Sequence, residues 1–309
     1  DAAAEAGADA IKLQTYTADT MTLKGVEKIE DRNSLWYGYE LHDLYKQAYT
    51  PWEWHQALFD RAKEHGMIAF SSPFDATSVD FLESLNMPIY KIASFENTDI
   101  PLIKKIAQLG KPVIMSTGVA TLGEIDEAVR VLMENGCPEL VLLKCTSTYP
   151  ASPETTNLAT IPHIKQIFNC TVGLSDHTMG IGAAVGAVAL GAEVIEKHFT
   201  LSRADGGVDS TFSIEPEELK SLVIETERAY LAVGNIQYGI QAAEEKSRRF
   251  KRSIYVAKPI KAGEVFNAEN LRVIRPGDGL APKYYERLLG KTARYDLKEG
   301  TPLSFDHLL

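Results

Sequence analysis

A short apolar run that ends in polar residues recurs along the first two thirds of the chain, and this repeat constrains the fold most. Segments with helical periodicity separate most of the runs. Strands that are apolar along their whole length and alternate with helices are typical of a parallel sheet covered on both faces. The seven runs are AIKLQTY (10–16), MIAFSSP (67–73), PIYKIAS (88–94), PVIMSTG (112–118), LVLLKCTS (140–147), TVGLSDH (171–177) and VIEKHFT (194–200).

The number of runs favours an α/β fold of the closed (β/α)8 TIM barrel type, which has eight parallel strands. The opening segment DAAAEAGA has the pattern of the last turns of a helix that ends at Gly7. We therefore expect the first barrel strand, with one catalytic residue on it, to lie upstream of this sequence. The alternative is an open doubly wound sheet, which calls for a glycine-rich first turn that we do not find.

The chain changes character after the last helical pattern, at 215–235. A charged segment follows, and beyond it come short strand patterns, the glycine turns KAGE and KEGT, and single helical turns. We predict a TIM-barrel domain over residues 1–238, a linker over 239–252, and a small β-rich domain over 253–309.

Residues 17–50 show no strand pattern and follow the first apolar run directly. In a barrel, an insertion at this point lies on the face that carries the active site. We expect it to form a lid with apolar side chains at Leu35, Trp36 and Tyr39.

Composition excludes several classes of protein. The formal net charge of −10, with 45% hydrophobic and 24% charged residues, argues against a nucleic-acid surface and against a polybasic membrane anchor. Three cysteines without metal-type spacing favour reduced thiols in a cytoplasmic protein. No apolar stretch approaches membrane-spanning length.

Two histidines end neighbouring runs and form the first candidate site. His177 ends the sixth run and His198 lies near the end of the seventh, with a glycine- and alanine-rich helical pattern between them. Parallel neighbours would bring both imidazoles to one end of the sheet, where they could share a divalent transition-metal ion. Alternatively, each histidine is a satisfied polar residue of the core. The flanking Asp176, Glu196 and Lys197 favour a functional cluster.

The carboxyl ends of barrel strands face one pocket, and here they are unusually polar. Two or three lysines among hydroxyl groups suit a phosphate or carboxylate ligand. The alternative is that Lys12 and Lys91 pair with structural carboxylates inside the barrel. The polar residues at the strand ends are Lys12, Gln14, Ser71, Ser72, Lys91, Ser94, Glu96, Ser116, Thr117, Thr146, Ser147, Thr148, Tyr149, Ser175, His177, Lys197 and His198.

A metal, an anion pocket and the carboxylate of Glu96 in one barrel mouth suggest addition of a phosphorylated carbon nucleophile to a carbonyl group. A metal-dependent aldolase, or a hydrolase of the same fold, would present much the same residues. An aldolase that forms a Schiff base through a lysine is a further alternative. A non-enzyme alternative treats the tail as a carbohydrate- or ice-binding module and the barrel as its scaffold.

The strings KLQTY, FSSPFD, YKIAS, MSTGVA, KCTSTYPA, GLSDHTMG, EKHFT and RPGDGLAP occur in this order. In these strings the chain resembles the sialic acid synthase family over essentially its whole length. The resemblance implies a TIM barrel followed by an antifreeze-like (SAF) domain. It also implies an enzyme that condenses phosphoenolpyruvate with an N-acetylated amino sugar and releases phosphate.

The resemblance also assigns roles to residues, and we carry these over as expectations. His177 and His198 match the family's metal ligands, with Mn²⁺ the typical ion and Mg²⁺ or Co²⁺ as alternatives. Glu96 matches a carboxylate near the reacting carbons and is our candidate general base. The positions that match phosphoenolpyruvate binding are Lys12, Ser72, Lys91, Ser94, Ser116 and Ser175. Those on the sugar side are Gln14, Ser147, Tyr149, Asp209 and Arg275.

In family dimers, the arginine that corresponds to Arg275 reaches the barrel of the partner subunit. The resemblance therefore implies a domain-swapped homodimer that acts on small molecules, without nucleic acid or membrane as partners.

Within the family, three segments are most similar to the pseudaminic acid synthases: 44–55, 144–152 and 206–216. Ser147 stands where sialic acid synthases often have asparagine, and Ser210 where N-acetylneuraminate synthases usually have histidine. The implied sugar is a 2,4-diacetamido-2,4,6-trideoxy-altrose. N-acetylmannosamine and the legionaminic acid precursor remain the alternatives.

Overall fold

The computed structural model describes residues 1–32 and 34–309. The chain divides into two compact units, Asp1–Gly234 and Asn235–Leu309. In the first unit, seven parallel strands form one sheet in the order of the sequence. The strands are β1 (Ala10–Thr15), β2 (Ile68–Pro73), β3 (Tyr90–Ile92), β4 (Val113–Ser116), β5 (Leu140–Cys145), β6 (Thr171–Asp176) and β7 (Val194–Lys197).

All seven predicted strands are present, so the parallel α/β fold is confirmed. The sheet curls strongly. This is evident from the distance of 3.1 Å between Nζ of Lys12 on β1 and a carboxylate oxygen of Glu196 on β7. These two strands are the edges of the sheet, and their side chains meet across its concave face. The eighth strand that we expect upstream stays a prediction.

The helices follow the strands as the sequence indicates. In the first unit they are α1 (Ala2–Glu5), α2 (Ala18–Met21), α3 (Leu41–Ala48), α4 (His55–Glu64), α5 (Ala76–Ser84), α6 (Ile100–Ala107), α7 (Leu122–Glu134), α8 (Pro153–Thr156), α9 (Thr160–Phe168), α10 (Gly182–Ala189) and α11 (Pro216–Val233). Local chemistry sets their starts. At α7, for example, Oγ1 of Thr121 accepts the backbone N–H of Glu124 at 3.3 Å, while the Glu124 carboxylate accepts the Thr121 N–H at 2.7 Å.

The main core lies between the convex face of the sheet and the helices. Its fully buried side chains come from both layers and include Val79, Leu82, Ile103, Ile106, Leu132 and Leu142. Full burial of one such aliphatic side chain contributes ~1.5–3 kcal/mol. The packed helices thereby fix the strands, and the strand ends can carry polar side chains without loss of the fold.

The second unit is small and has its own core. Strands β8 (Ser253–Val256) and β9 (Leu271–Ile274) pair antiparallel, and α12 (Tyr285–Leu288) follows them. Further pairing is limited to isolated bridges, such as Ile260 with Leu297. The buried core residues are Ile254, Val256, Ile260, Phe266, Leu271, Leu288, Ala293, Leu297 and Leu303. The predicted domain boundaries at 238 and 253 stay predictions.

Candidate active site at the carboxyl ends of the strands

A partly buried cluster of charges occupies the concave side of the strands. The carboxylate of Glu196 lies 3.1 Å from Nζ of Lys12 and 3.7 Å from Nζ of Lys91, and it accepts a hydrogen bond from Oγ of Ser175 at 2.9 Å. Nζ of Lys91 also donates to Oγ of Ser116 at 2.7 Å. Lys12 and Lys91 are therefore paired with a carboxylate inside the barrel, as the alternative states, and the anion site stays a prediction.

The cluster shifts the pKa of its members. Burial would raise the pKa of Glu196, but Lys12 and Lys91 beside it hold that pKa well below its usual range. Burial lowers the pKa of Lys91 to about 8, although Glu196 offsets part of this effect. The formal charges of the two lysines and the carboxylate of Glu196 sum to +1 toward the pocket.

A turn rich in hydroxyl groups follows β4. Its backbone N–H at Gly118 donates to Oγ of Ser94 at 3.2 Å. A Cβ added at Gly118 would lie only 2.2 Å from Oγ of Ser147 and 2.7 Å from Oγ of Ser94. The side-chain amide of Asn97 donates to the carbonyl of Gly118 at 2.9 Å and holds the turn from below. A larger residue here would displace the two serine side chains, because both approach the backbone closely.

The two predicted histidines lie next to each other, directly after β6 and β7. The ring centroids of His177 and His198 are 5.3 Å apart. Nδ1 of His177 donates to the carbonyl of Thr146 at 3.0 Å, and Nδ1 of His198 lies 3.4 Å from a carboxylate oxygen of Asp209. Burial lowers the pKa of His198, while Asp209 offsets part of this effect.

These contacts make the pair suitable for a metal ion. When Nδ1 carries the proton and is held by an oxygen, Nε2 presents its lone pair, which is the usual arrangement of a histidine that binds a metal. Nδ1 of His177 and Nδ1 of His198 each lie beside an oxygen, and with the proton on Nδ1 the donor set fits a divalent transition metal with open positions for other ligands.

Aromatic side chains enclose the same end of the pocket. The ring centroid of Tyr149 lies 4.5 Å from that of His177, 5.2 Å from that of Phe212 and 6.0 Å from that of Trp36. Nε1 of Trp36 donates to the carbonyl of Val208 at 3.0 Å. The predicted lid segment therefore contacts the loop that carries Asp209. Burial raises the pKa of Tyr149, so its phenol stays protonated and can donate a hydrogen bond.

Glu96 lies in the 3-10 helix Ser94–Glu96 after β3. Its Oε2 is buried and has no hydrogen-bond partner among the described residues, and the same holds for Oγ of Ser72. Burial raises the pKa of Glu96 to about 7, and Lys91 offsets part of this effect. Two unpartnered polar atoms are thus available to a ligand in this mouth.

Three residues of the predicted strand-end set turn away from the mouth. Lys197 pairs with Asp176 at 2.8 Å, Oγ of Ser71 lies 2.6 Å from Oγ1 of Thr15, and Oγ1 of Thr117 donates to the Leu143 carbonyl. The reason is the two-residue period of a strand, which sends alternate side chains to opposite faces. Their inclusion in the pocket was wrong.

For Gln14 and Arg275, which we predicted on the sugar side, the structure gives the position in the fold. Gln14 lies opposite Ser72 in the register of β1 and β2, and therefore on the inward face with Lys12. Arg275 belongs to the second unit, directly after β9.

Sequence reasoning missed three residues of the site. It listed Glu196 only as a neighbour of the histidines, and it did not single out Gly118 or Asn97. A signal existed for Glu196, since it pairs with Ser175 in the parallel register and so shares the inward face. No signal in the sequence pointed to Asn97.

A different group of metal-type ligands lies at the start of α3. Ligand atoms of Glu40, His42 and Asp43 lie within 4.8 Å of one another. Glu40 already accepts the N–H of Gly25 at 2.7 Å, and His42 is bonded to Asp19 at 2.8 Å. Acidic groups often gather on surfaces, so we give this group no role. In the described part of the chain, no helix is long and apolar enough to cross a membrane.

Comparison with known proteins now decides the family. The model of the NeuB family matches residues 1–238, and that of the SAF domain matches residues 251–309. The chain belongs to the NeuB family. Its sequence is 46% identical to a pseudaminic acid synthase of Campylobacter jejuni, over 98% of this chain and 88% of that protein. A pseudaminic acid synthase of Helicobacter pylori is 42% identical, over 98% of this chain and 90% of that protein.

A solved structure supports the same assignment. The N-acetylneuraminic acid synthetase of Leptospira borgpetersenii is 34% identical and superposes with a TM-score of 0.70, covering 80% of this chain and 81% of that one. The resemblance to sialic acid synthases is therefore confirmed, as are the barrel-type fold and the C-terminal SAF domain. The two relatives described above are synthases of the same family, so the chain is an enzyme of the transferase type rather than a binding module.

The raised pKa of Glu96 predicts a pH-dependent stability difference in the metal-free protein. Glu96 binds its proton more tightly when folded, so its contribution is fully present below the unfolded pKa of 4.5 and is lost as pH rises through about 7. The difference in unfolding free energy between Glu96→Gln and the wild type should therefore shift in favour of the variant by about 2–3 kcal/mol when the pH is raised from 5 to 8. Urea titrations in EDTA at both pH values would measure this, with Glu127→Gln on the exposed side of α7 as control. Equal differences at both pH values would contradict the assignment.

Proposed function

We propose that the chain catalyses the synthesis of pseudaminic acid. In this reaction phosphoenolpyruvate, 2,4-diacetamido-2,4,6-trideoxy-β-L-altropyranose and water give pseudaminic acid and phosphate. The observation that carries the choice of sugar is the identity of 46% and 42% to two pseudaminic acid synthases over 98% of the chain. Ser147 and Ser210, which differ from the usual residues of N-acetylneuraminate synthases, support the same choice.

Phosphoenolpyruvate would bind in the cluster of charges and hydroxyl groups. Lys12 and Lys91 supply positive charge, and the serine hydroxyl groups fill the lone pairs of phosphate and carboxylate oxygens. The buried Oγ of Ser72, which has no partner in the described chain, is a ready donor. The serines that we assign to this role are Ser72, Ser94, Ser116 and Ser175.

The sugar would lie beside the aromatic wall. Tyr149 offers a phenol donor, Asp209 a carboxylate acceptor, and Trp36 an apolar surface that suits a deoxy sugar with a methyl group. Gln14 and Ser147 complete the polar contacts. A pocket discriminates strongly only where a site group must hydrogen-bond the substrate, so the polar residues set the choice more than Trp36 does.

His177 and His198 would hold a divalent cation, for which we propose Mn²⁺. When bound, such an ion polarises a carbonyl oxygen and so prepares the sugar aldehyde for attack. Glu96 would accept, at its buried Oε2, a proton from the water that adds to C2 of the phosphoenolpyruvate unit. A pKa of about 7 suits a group that must both take and release a proton near neutral pH. We place the reaction in the cytoplasm, where phosphoenolpyruvate is made.

Phosphate release provides the first test. The full-length enzyme should release phosphate from phosphoenolpyruvate with the trideoxy-altrose sugar and Mn²⁺, and EDTA should abolish the release. His177→Ala and His198→Ala should lower the rate by at least ~100-fold, in line with the loss of a main electrostatic contribution. N-acetylmannosamine and the legionaminic acid precursor serve as competing sugars.

Each outcome of this assay has a clear meaning. Preference for either competing sugar would contradict the proposed substrate but would leave the proposed type of reaction intact. Failure with all three sugars would bring forward the Schiff-base aldolase, which the lowered pKa of Lys91 favours. Borohydride in the presence of substrate would then trap a covalent adduct on Lys91, whereas the proposed reaction gives none.

Gly118→Ala should weaken binding of both substrates. The new methyl group would displace the hydroxyl groups of Ser147 and Ser94, and the loss of one charge-assisted hydrogen bond corresponds to about tenfold in KM or more. Steady-state kinetics should show a rise in KM for phosphoenolpyruvate, to which Ser94 is assigned, and for the sugar, to which Ser147 is assigned. Gly182→Ala in α10 is the control, because a Cβ there meets nothing within 4 Å. An unchanged KM would remove this turn from the binding site.

We further propose a homodimer in which the partner subunit covers the barrel mouth with its SAF domain. Several large apolar side chains in loops after barrel strands are exposed by half or more, and they include Phe95, Val119, Met179 and Leu201. An apolar rim of this kind suits a covering protein surface.

Light scattering should give twice the mass of one chain. Arg275→Ala alone should lose activity. Co-expression with His177→Ala should restore part of it in mixed dimers. In these, the barrel of the Arg275→Ala subunit is intact and the His177→Ala subunit supplies Arg275. His177→Ala with Glu96→Gln is the matched control, because neither subunit has an intact barrel. A mass of one chain, or no restoration, would end the role of Arg275 across the interface.

A further inference from the structure

Beneath the two histidines, on the helix side of the sheet, lies a buried ion pair that the reaction does not use. Nζ of Lys197 on β7 lies 2.8 Å from Oδ2 of Asp176 on β6, and these side chains are 4% and 0% exposed. Asp176 and Lys197 are the last register pair of the two strands. Each residue directly precedes one of the two histidines.

The pair also fixes the turn that carries His177. Oδ1 of Asp176 accepts the backbone N–H of Thr178 at 2.9 Å and its hydroxyl group at 2.8 Å. Nζ of Lys197 donates to the carbonyl of Thr178 at 2.6 Å. The residues before and after His177 are therefore both tied to the residue before His198.

Stability alone explains this pair poorly. Two apolar side chains in such a place would stabilise a fold as well or better, since buried charges lose their hydration. A buried pair with satisfied hydrogen bonds does give one definite geometry, because every bond has a preferred length and direction. Here that geometry is the relative position of two strand ends.

We propose that Asp176, Lys197 and Thr178 form a positioning clamp, which sets the spacing of His177 and His198 for binding one divalent cation. The inference rests on the proposed metal role of the two histidines. The clamp residues do not touch the ion, since they lie on the opposite face of the sheet. They act through the backbone, which they hold at the ring-centroid separation of 5.3 Å.

The test is a titration of the metal-free full-length chain with Mn²⁺. The electron paramagnetic resonance signal of free Mn²⁺ measures how much of the ion is bound. Wild type should bind one ion per chain, and His177→Ala should not bind. Lys197→Met and Asp176→Asn should each raise Kd by about 10–100-fold, as for other residues that orient metal ligands. Circular dichroism at the assay temperature confirms that each variant is folded.

The double variant Asp176→Asn/Lys197→Met separates a clamp from a purely structural pair. It leaves no buried charge, so its folding should recover relative to Lys197→Met. A clamp predicts that Mn²⁺ binding stays weak despite this recovery, whereas a structural pair predicts that binding returns. Lys111→Met is the matched control, because its ion pair with Glu83, at 2.8 Å, lies before β4 at the other end of the barrel.

The two proposals fail in different ways. Wild-type Kd in folded Lys197→Met or in the double variant would overturn the clamp and leave the metal site intact. Absence of Mn²⁺ binding in the wild type would overturn the metal site and the clamp together. Should Lys197→Met not fold, the double variant and Asp176→Asn decide the question alone.

Discussion

The ion pairs of Glu196 with Lys12 and Lys91 are the interaction on which the mouth of the barrel depends. They join β1, β3 and β7 across the concave side of the sheet. Without the carboxylate, two ammonium groups would face each other in a region of low dielectric, where like charges repel strongly. Removal of one partner of such a group usually costs several kcal/mol, because a buried charge is left without compensation. Glu196 therefore keeps both lysines extended into the pocket.

The same cluster sets the charge that a ligand meets. A pocket with two free lysines would hold phosphate very tightly, and release of the product would suffer. In the proposed site Glu196 lies between the lysines, the formal net charge of the three groups is +1, and serine hydroxyl groups would provide the other contacts as neutral donors. Hydrogen bonds from neutral groups are weaker than those from charged ones, so binding is spread over many contacts. Such a site can favour one geometry of the ligand without trapping it.

Much of the fold could be predicted from the sequence because its signals are local. Seven apolar runs gave seven strands, and the two histidines lie together because parallel neighbours end at the same edge of the sheet. The face of the sheet on which each side chain lies was harder to predict, since a shift of one residue along a strand moves every side chain to the opposite face. Lys197 was therefore placed in the pocket with Lys12, although it points to the helices. Contacts between distant segments, such as Trp36 with Val208 or Asn97 with Gly118, leave no trace in a single sequence.

The alternation along β6 and β7 lets two short segments serve several purposes at once. On the inward face, Ser175 donates a hydrogen bond to Glu196, which pairs with Lys12 and Lys91. On the outward face, Asp176 and Lys197 join the strand ends. Beyond the strands, His177 and His198 stand at the start of loops that the sheet holds in place. Residues that would choose the sugar, such as Tyr149 and Asp209, lie farther along such loops. In the proposed site, a change of sugar would therefore call mainly for new loop residues, because the strands hold Lys12, Lys91 and Glu196 in position.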